Sequence, residues 1–73
     1  MPDEGRHNPS RVPPAIEARE RTGLSQSQFA ALLGVSIRTL QGLEQGRREP
    51  TGAAKTLLRV AVKHPEVLRE MQD

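Results

Sequence analysis

The chain has 73 residues, enough for one small domain, and a domain of this size buries only about 60% of the surface that its unfolded chain exposes. It contains no cysteine, which excludes a disulfide framework and a thiolate metal site, and its single phenylalanine without tryptophan or tyrosine excludes an aromatic platform for stacking single-stranded bases. The formal net charge is only +2, so the placement of the cations matters more than their sum.

The N-terminus is polar and does not have the pattern of a signal peptide, and no apolar run approaches the roughly 20 residues of a membrane span. We therefore expect a cytoplasmic protein that makes no membrane contact. Residues 1–13 are almost without apolar side chains and contain Gly5, Pro9 and Pro13. This composition predicts a flexible N-terminal arm, followed by one domain over residues 14–73.

The first predicted helix begins at Pro14, whose missing N–H would have no partner in a first turn, and runs to about Thr22. Its apolar anchors are Ala15, Ile16 and Ala18. The second helix opens with Ser25 and Gln28, which fit the capping-box pattern S-x-x-Q, and ends at Gly34. Its inward side chains are Phe29, Leu32 and Leu33.

The third helix, residues 37–45, is short and follows the second after a turn of a few residues. Ser36 suits its N-cap, and Leu40 and Leu43 share one face at the i, i+3 spacing of a packed helix. A helix this short needs a scaffold behind its leucines. The opposite face carries Arg38, Gln41, Gly42 and Gln45. The arginine and glutamines supply hydrogen-bond donors suited to base edges in a major groove.

The fourth helix, about residues 52–63, has Thr51 as its cap and is the clearest amphipathic element. Its apolar face consists of Ala54, Leu57, Leu58 and Ala61. His64-Pro65 breaks it, and a last short helix spans Glu66 to about Gln72. Val67, Leu68 and Met71 on this helix are expected to cover the core, form a dimer contact, or do both. With no alternating apolar run that would indicate a strand, the pattern predicts an all-α domain.

Positive charge is concentrated around the third helix. The cations between residues 36 and 59 are Arg38, Arg47, Arg48, Lys55 and Arg59, and the acids are Glu44 and Glu49. This placement favours nucleic-acid binding, although Lys55 and Arg59 are expected to be simply solvated. His7 and His64 are far apart without a nearby cysteine, so we predict no metal site, and the absence of a nucleophile–base pair or a paired-carboxylate site argues against an enzyme.

The run from Leu24 to Ser36, continued by Leu43 to Gly46, resembles the lambda-repressor/Cro-like family, also called the XRE family. The resemblance covers roughly residues 14–63 and implies a five-helix helix-turn-helix domain that binds double-stranded DNA without a cofactor. The run Gly46 to Gly52 and the later Leu57-Leu58 and His64-Pro65-Glu66 are similar to the HigA-type antitoxin branch.

The resemblance also implies roles for single residues. Gln26 would contact the DNA backbone and brace the third helix, and Arg38 would read a guanine. Glu44 would pair with Arg19 of the first helix. The implied DNA-binding residues are Ser25, Gln26, Ser27, Ser36, Ile37, Arg38, Thr39, Gln41, Gly42, Arg47 and Arg48. Of these, Thr39, Arg47 and Arg48 would touch phosphates.

Gly42 departs from the family, which usually places a side chain there. A glycine inside a helix is unfavourable by about 1 kcal/mol relative to alanine. Gly42 is therefore either a tolerated defect or a point where the backbone approaches the duplex closely. With fewer base contacts, specificity would depend more on DNA shape or on Ile37 touching a thymine methyl.

Two functions are compatible with these patterns. The first is a sequence-specific repressor, bound to the nucleoid as a dimer on a palindromic operator, with its third helix in the major groove. The second is the antitoxin of a type II toxin–antitoxin module, which neutralises a RelE/HigB-like toxin and regulates its own operon. In that case the arm of residues 1–13 is a candidate segment for folding on the toxin.

Overall fold

Five α-helices account for most of residues 12–72, the part of the chain that the computed structural model describes. They are α1 (Ala15–Thr22), α2 (Gln26–Leu33), α3 (Ile37–Glu44), α4 (Gly52–Lys63) and α5 (Pro65–Met71). No strand occurs within residues 12–72, so the all-α prediction is confirmed. The predicted N-terminal arm lies outside the described residues except for Val12 and Pro13, and Val12 packs against the core.

Hydroxyl side chains set the starts of α2, α3 and α4. The Ser25 hydroxyl accepts the Gln28 N–H at 3.1 Å, and the Gln28 side-chain oxygen accepts the Ser25 N–H at 3.0 Å, which completes the predicted capping box. Ser36 accepts the Thr39 N–H at 3.0 Å, and Thr51 caps α4 in the same way at 3.3 Å. Each such cap stabilises a helix by about 1 kcal/mol.

The turn between α2 and α3 is built around Gly34, which has φ 76° and ends α2. The Gly34 N–H donates to the Ala31 carbonyl at 3.1 Å and the Val35 N–H to the Ala30 carbonyl at 3.0 Å, which is the Schellman arrangement. Val35 also packs against the core. The turn therefore has a fixed geometry, and it fixes the angle at which α3 leaves α2.

The core lies between α1 and the other helices, with α1 packed against α3, α4 and α5 and with α2 packed against α3 and α4. Its buried apolar side chains are Ala15, Ala18, Phe29, Ala30, Leu33, Leu40, Leu43, Ala54, Leu58, Ala61 and Leu68. Leu32 and Leu57 are partly buried against it. Leu40 and Leu43 anchor α3 as predicted, so the opposite side of this helix is free to face outward.

The start of α1 differs from the prediction in two respects. Pro14 is the N-cap and not the first helical residue, and its carbonyl accepts the Ala18 N–H at 3.0 Å. Ile16 was predicted to anchor the helix but is 42% exposed, so that prediction is wrong. With only Ala15 and Ala18 as buried apolar residues on α1, the backbone of this helix lies close to its neighbours.

The end of α1 is held by two polar side chains that the sequence patterns did not single out. Thr22 is buried, and its hydroxyl donates to the Arg19 carbonyl at 2.6 Å and accepts the Leu24 N–H at 3.2 Å. Arg69 of α5 donates to the carbonyls of Arg21 and Thr22 at 3.4 and 3.1 Å. The Arg69 bonds satisfy carbonyls that a helix end leaves without partners, and they tie α5 to α1.

α5 begins at Pro65, one residue earlier than predicted. Leu68 is completely buried in the core of its own chain, so of the roles considered for it, covering the core is the one that the structure shows. Val67 and Met71 lie on the other side of α5 and are 39% and 51% exposed. The apolar residues of α5 thus divide into one core residue and two surface residues.

A polar cluster of Arg19, Gln26 and Glu44 joins α1, α2 and α3. The Arg19 Nε lies 2.6 Å from one Glu44 oxygen and its Nη2 lies 3.3 Å from the other, so the salt bridge expected between these residues is present and bidentate. The Gln26 amide donates to Glu44 at 3.1 Å. Only 5% of the Glu44 side chain is exposed. The cluster therefore fixes the last turn of α3 against the other two helices.

The charges in this cluster stabilise each other. Burial alone raises the pKa of the Glu44 carboxyl, but the hydrogen bonds from Arg19 and Gln26 and the charge of Arg19 together outweigh it, so its pKa lies below the ordinary value. The hydrogen bond to Glu44 raises the pKa of Arg19 against the opposing effect of burial. Because the pKa of Glu44 is depressed on folding, its contribution to stability is present above about pH 4.3 and is lost as the pH falls through the folded pKa.

Replacing Glu44 with glutamine is expected to lower the free energy of unfolding at pH 7 by about 2 kcal/mol, between the values typical of exposed and of fully buried pairs. The difference from the wild type should shrink as the pH falls from about 4.3, the ordinary pKa, through the lower pKa of Glu44 in the folded protein, where its carboxyl becomes protonated. Urea denaturation at pH 7 and at lower pH measures both effects. Glu17→Gln is the matched control, since Glu17 forms only an exposed pair with Arg21, and a loss as large in the control would contradict the assignment.

Candidate nucleic-acid interface

The side of α3 opposite Leu40 and Leu43 faces away from the core. Its exposed side chains are Ile37, Arg38, Gln41 and Gln45, which together we call the outer face of α3. Gln41 lies four residues after Ile37, three after Arg38 and four before Gln45, which are the spacings that place residues on one side of a helix. An α-helix with one side anchored and the other side exposed has the shape that enters a major groove.

The two polar side chains near the start of the outer face are free to bind. Within residues 12–72, the side chains of Arg38 and Gln41 make no hydrogen bond or ion pair. A guanidinium presents paired donors in a rigid plane that match the two acceptors on the major-groove edge of guanine. A glutamine amide carries a donor and an acceptor that match adenine in the same way.

The polar residues at the starts of α2 and α3 are already used to build the helix ends. Ser25 is occupied by its cap and lies 3.4 Å from the Ser27 hydroxyl, while Gln26 is half-buried and donates to Glu44. The Ser36 hydroxyl donates to the Thr39 hydroxyl at 3.1 Å in addition to its cap bond. Each helix start still presents unpaired backbone N–H groups, which favour an anion such as a phosphate.

Gly42 does not belong to the outer face, and its predicted position there is wrong. It is buried, because the side chain of Arg48 lies over it. A Cβ built at Gly42 would lie 2.9 Å from the Arg48 Cδ, which is closer than real Cβ contacts come. The two interpretations of Gly42, a tolerated defect and a close approach to the duplex, did not include this packing, in which another part of the same chain occupies the space.

The loop after α3 brings two further arginines beside this helix. The N–H groups of Arg47 and Arg48 both donate to the Gly42 carbonyl, at 2.9 and 3.2 Å, so the loop turns back toward α3. The Arg47 guanidinium donates to the side chain of Gln45. Both arginines are exposed, and Glu49 is the exposed acid next to them. Because Arg19 neutralises Glu44, the surface around the outer face is positive.

Lys55 and Arg59 are half-buried on α4, which differs from the solvated positions expected for them. Lys55 lines a surface cavity of about 350 Å³ between residues 12–15, the loop of residues 46–50 and the start of α4. Leu43 and Leu58 form part of its wall, and Arg48 lies at the same cavity. Both cations therefore lie on α4 and not on the outer face of α3.

Within residues 12–72, no group of three or more histidine, cysteine, aspartate or glutamate side chains is placed to hold a metal ion. Among the same residues, every helix is too short or too polar to traverse a lipid bilayer. His64 lies 3.5 Å from Glu66 across the break between α4 and α5, where both side chains are exposed.

The packing of Arg48 on Gly42 is the feature of the interface that pattern analysis missed. A helical wheel considers only residues of one helix, so a residue that the following loop covers still counts as exposed. The available signal was a glycine in the middle of a helix with two arginines five and six residues later, after Gly46. A missing side chain on a polar face indicates that something else occupies the space.

Comparison with known proteins identifies a helix-turn-helix domain in the same part of the chain. A family model described as helix-turn-helix matches residues 16–54, which include α2, the turn and α3. The chain is 43% identical over 58 residues to antitoxin HigA-2 of Vibrio cholerae, covering 80% of this chain and 56% of that protein. It is 30% identical over 57 residues to antitoxin MqsA of Escherichia coli, covering 78% of this chain and 44% of that protein. No solved structure gives a significant match.

The chain spans about half the length of the curated relatives it matches. The family model covers more than half of the chain, and the match lies on the capped helices, the fixed turn and the outward-facing α3 described above. The chain belongs to the XRE-type helix-turn-helix family of DNA-binding regulators.

Proposed function

We propose that the chain binds double-stranded DNA sequence-specifically by placing α3 in the major groove, and that it represses transcription from the bound operator. The observation that carries the proposal is the outer face of α3, on which the side chains of Arg38 and Gln41 are exposed and make no hydrogen bond or ion pair within residues 12–72. On this basis Arg38 contacts a guanine, Gln41 an adjacent base, and Ile37 a thymine methyl. The activity is binding, and no catalytic step is part of it.

The remaining polar residues contact the DNA backbone in this arrangement. The start of α2 directs its free N–H groups to one phosphate and the start of α3 to another. The residues assigned to phosphate contacts are Ser25, Gln26, Ser27, Ser36, Thr39, Arg47 and Arg48. Because each neutralised phosphate releases counterions, binding weakens steeply with salt.

We also propose that the chain binds its operator as a homodimer. One recognition helix contacts only a few base pairs, and the helix-turn-helix proteins that act as dimers bind two half-sites about 34 Å apart, one turn of DNA. Val67 and Met71 are the exposed apolar residues of α5 and supply the contact between subunits. Leu68 supports that surface from the core.

A second function is favoured by the similarity to antitoxin HigA-2, which extends over 80% of this chain. In this proposal the protein also binds and neutralises a toxin, and represses the operon that encodes both. The two functions are compatible, because the outer face of α3 engages DNA and leaves the rest of the surface available to a protein.

Replacing Arg38 with alanine is expected to weaken binding to the operator by about 1–3 kcal/mol, because a bidentate contact to a base is lost, and to relax sequence preference at one position. Selection from random duplex DNA identifies the operator, and fluorescence anisotropy then compares the operator with a scrambled duplex. Arg21→Ala on α1 removes the same charge from another helix and should have little effect. An equal loss on both duplexes would show that Arg38 does not contact a base.

Replacing both Val67 and Met71 with glutamate is expected to convert a dimer into a monomer, because two charges are placed in the subunit contact. Sedimentation equilibrium measures the mass, and a two-half-site operator should then be bound without cooperativity. Ala53→Glu, at an exposed position of α4, is the control for added charge. A double variant that remains dimeric places the subunit contact elsewhere.

Co-expression of the full reading frame containing this chain with a toxin-like neighbouring reading frame tests the second function. We expect the two proteins to co-purify and the growth defect caused by the toxin to disappear. Arg38→Ala should retain toxin binding while losing operator binding, since its site is on the outer face of α3. If the neighbour is toxic but neither binds nor is neutralised, the antitoxin proposal is rejected.

A further inference from the structure

We propose that Gly42 is a positioning residue for Arg48. The absence of a side chain at Gly42 lets Arg48 lie across α3, and this packing holds its guanidinium beside the outer face, where it contacts a DNA phosphate. The inference deepens the proposed DNA binding and rests on it.

The first support is the fit between the two residues. A Cβ at Gly42 would lie 2.9 Å from the Arg48 Cδ, 3.1 Å from its Cγ and 3.2 Å from its Nε. All three distances are shorter than ordinary van der Waals contact, so Arg48 occupies the space that a side chain at this position would take. By contrast, a Cβ built at Gly52 of α4 has no neighbouring heavy atom within 4 Å.

The second support is the backbone of the loop. The Gly42 carbonyl accepts the N–H groups of both Arg47 and Arg48, and Gly46 takes φ 80°, which turns the chain back. The Gly42 carbonyl therefore holds the backbone of Arg48, and the side chain of Arg48 covers the same glycine. Two contacts with one glycine restrict the directions that the Arg48 side chain can take.

The third support is the position of Gly42 on the helix. Arg38 lies four residues before it and Gln45 three residues after it, so both are its surface neighbours. The Arg48 Nε lies over Gly42, so the guanidinium is within reach of the outer face. Arg48 is exposed and makes no side-chain hydrogen bond or ion pair with another residue of the described range 12–72, so its donors are available.

A packed arginine loses less conformational freedom on binding than a solvated one, since part of its rotamer entropy is already lost on folding. Glycine is intrinsically less favourable than alanine inside a helix. Gly42→Ala is therefore expected to leave the thermal midpoint unchanged or raised while it displaces Arg48. A variant that keeps its stability but loses affinity separates positioning from a role in the fold.

The test compares Gly42→Ala, Arg48→Ala and the double variant on the selected operator over a range of salt concentrations. Each single variant should lose about tenfold in affinity and reduce the slope of log K against log salt by about 0.9, the value for one phosphate contact. The double variant should lose no more than Arg48→Ala, because both changes remove the same contact. Gly52→Ala is the matched control and should keep the affinity and the slope.

Additive losses in the double variant, or an unchanged salt slope in Gly42→Ala, would overturn the inference. So would a loss in Gly42→Ala without one in Arg48→Ala, because the new Cβ would then contact the duplex itself. If the wild type binds no duplex after selection, the proposed function fails and the phosphate contact fails with it. NMR relaxation of the Arg48 Nε–H tests the packing without DNA: it should be ordered in the wild type and mobile in Gly42→Ala, and equal mobility rejects positioning.

Discussion

The bidentate salt bridge between Arg19 and Glu44, extended by Gln26, is the interaction on which the orientation of α3 depends. An eight-residue helix has too few hydrogen bonds to be stable alone, and Leu40 and Leu43 anchor only its inner side. The salt bridge fixes the last turn, while Gly34 and Ser36 fix the first. Because Glu44 is almost completely buried and paired, it adds little negative potential to the surface that meets an anion.

The helices could be predicted from the sequence because their limits depend on local interactions. A capping serine bonds within three residues, and a glycine with positive φ ends a helix by its own backbone, so Ser25, Ser36, Thr51 and Gly34 indicate where α2, α3 and α4 begin or end. The inward positions of α3 and α4 follow from their strong periodicity. The Arg19–Glu44 pair was implied by the family resemblance, since no local pattern connects residues 25 positions apart.

The predictions from the sequence fail where the surroundings of a residue are formed by another loop or helix, which a helical wheel does not include. The helical periodicity places Gly42 on the polar side of α3, but the side chain of Arg48 from the following loop covers it. Arg69 on α5 holds the end of α1, 47 residues earlier, which no local pattern predicts. Ile16 shows the same limit for an apolar residue, because a short helix such as α1 has too few apolar residues to define which side is buried. The assignments to DNA remain predictions, since they depend on a molecule that the sequence does not contain.

The small size of the outer face is also the reason for proposing a dimer on the operator. A bidentate contact discriminates between bases by about 1–3 kcal/mol, so the contacts proposed for Arg38 and Gln41 would together provide about 2–6 kcal/mol. Specific DNA sites are typically bound about 4–10 kcal/mol more tightly than random sequence. Because Gly42 contributes no side chain and the contact proposed for Arg48 is independent of sequence, a monomer would reach only the lower part of that range. Two copies would double the base contacts, and this gain is the energetic argument for the proposed second subunit.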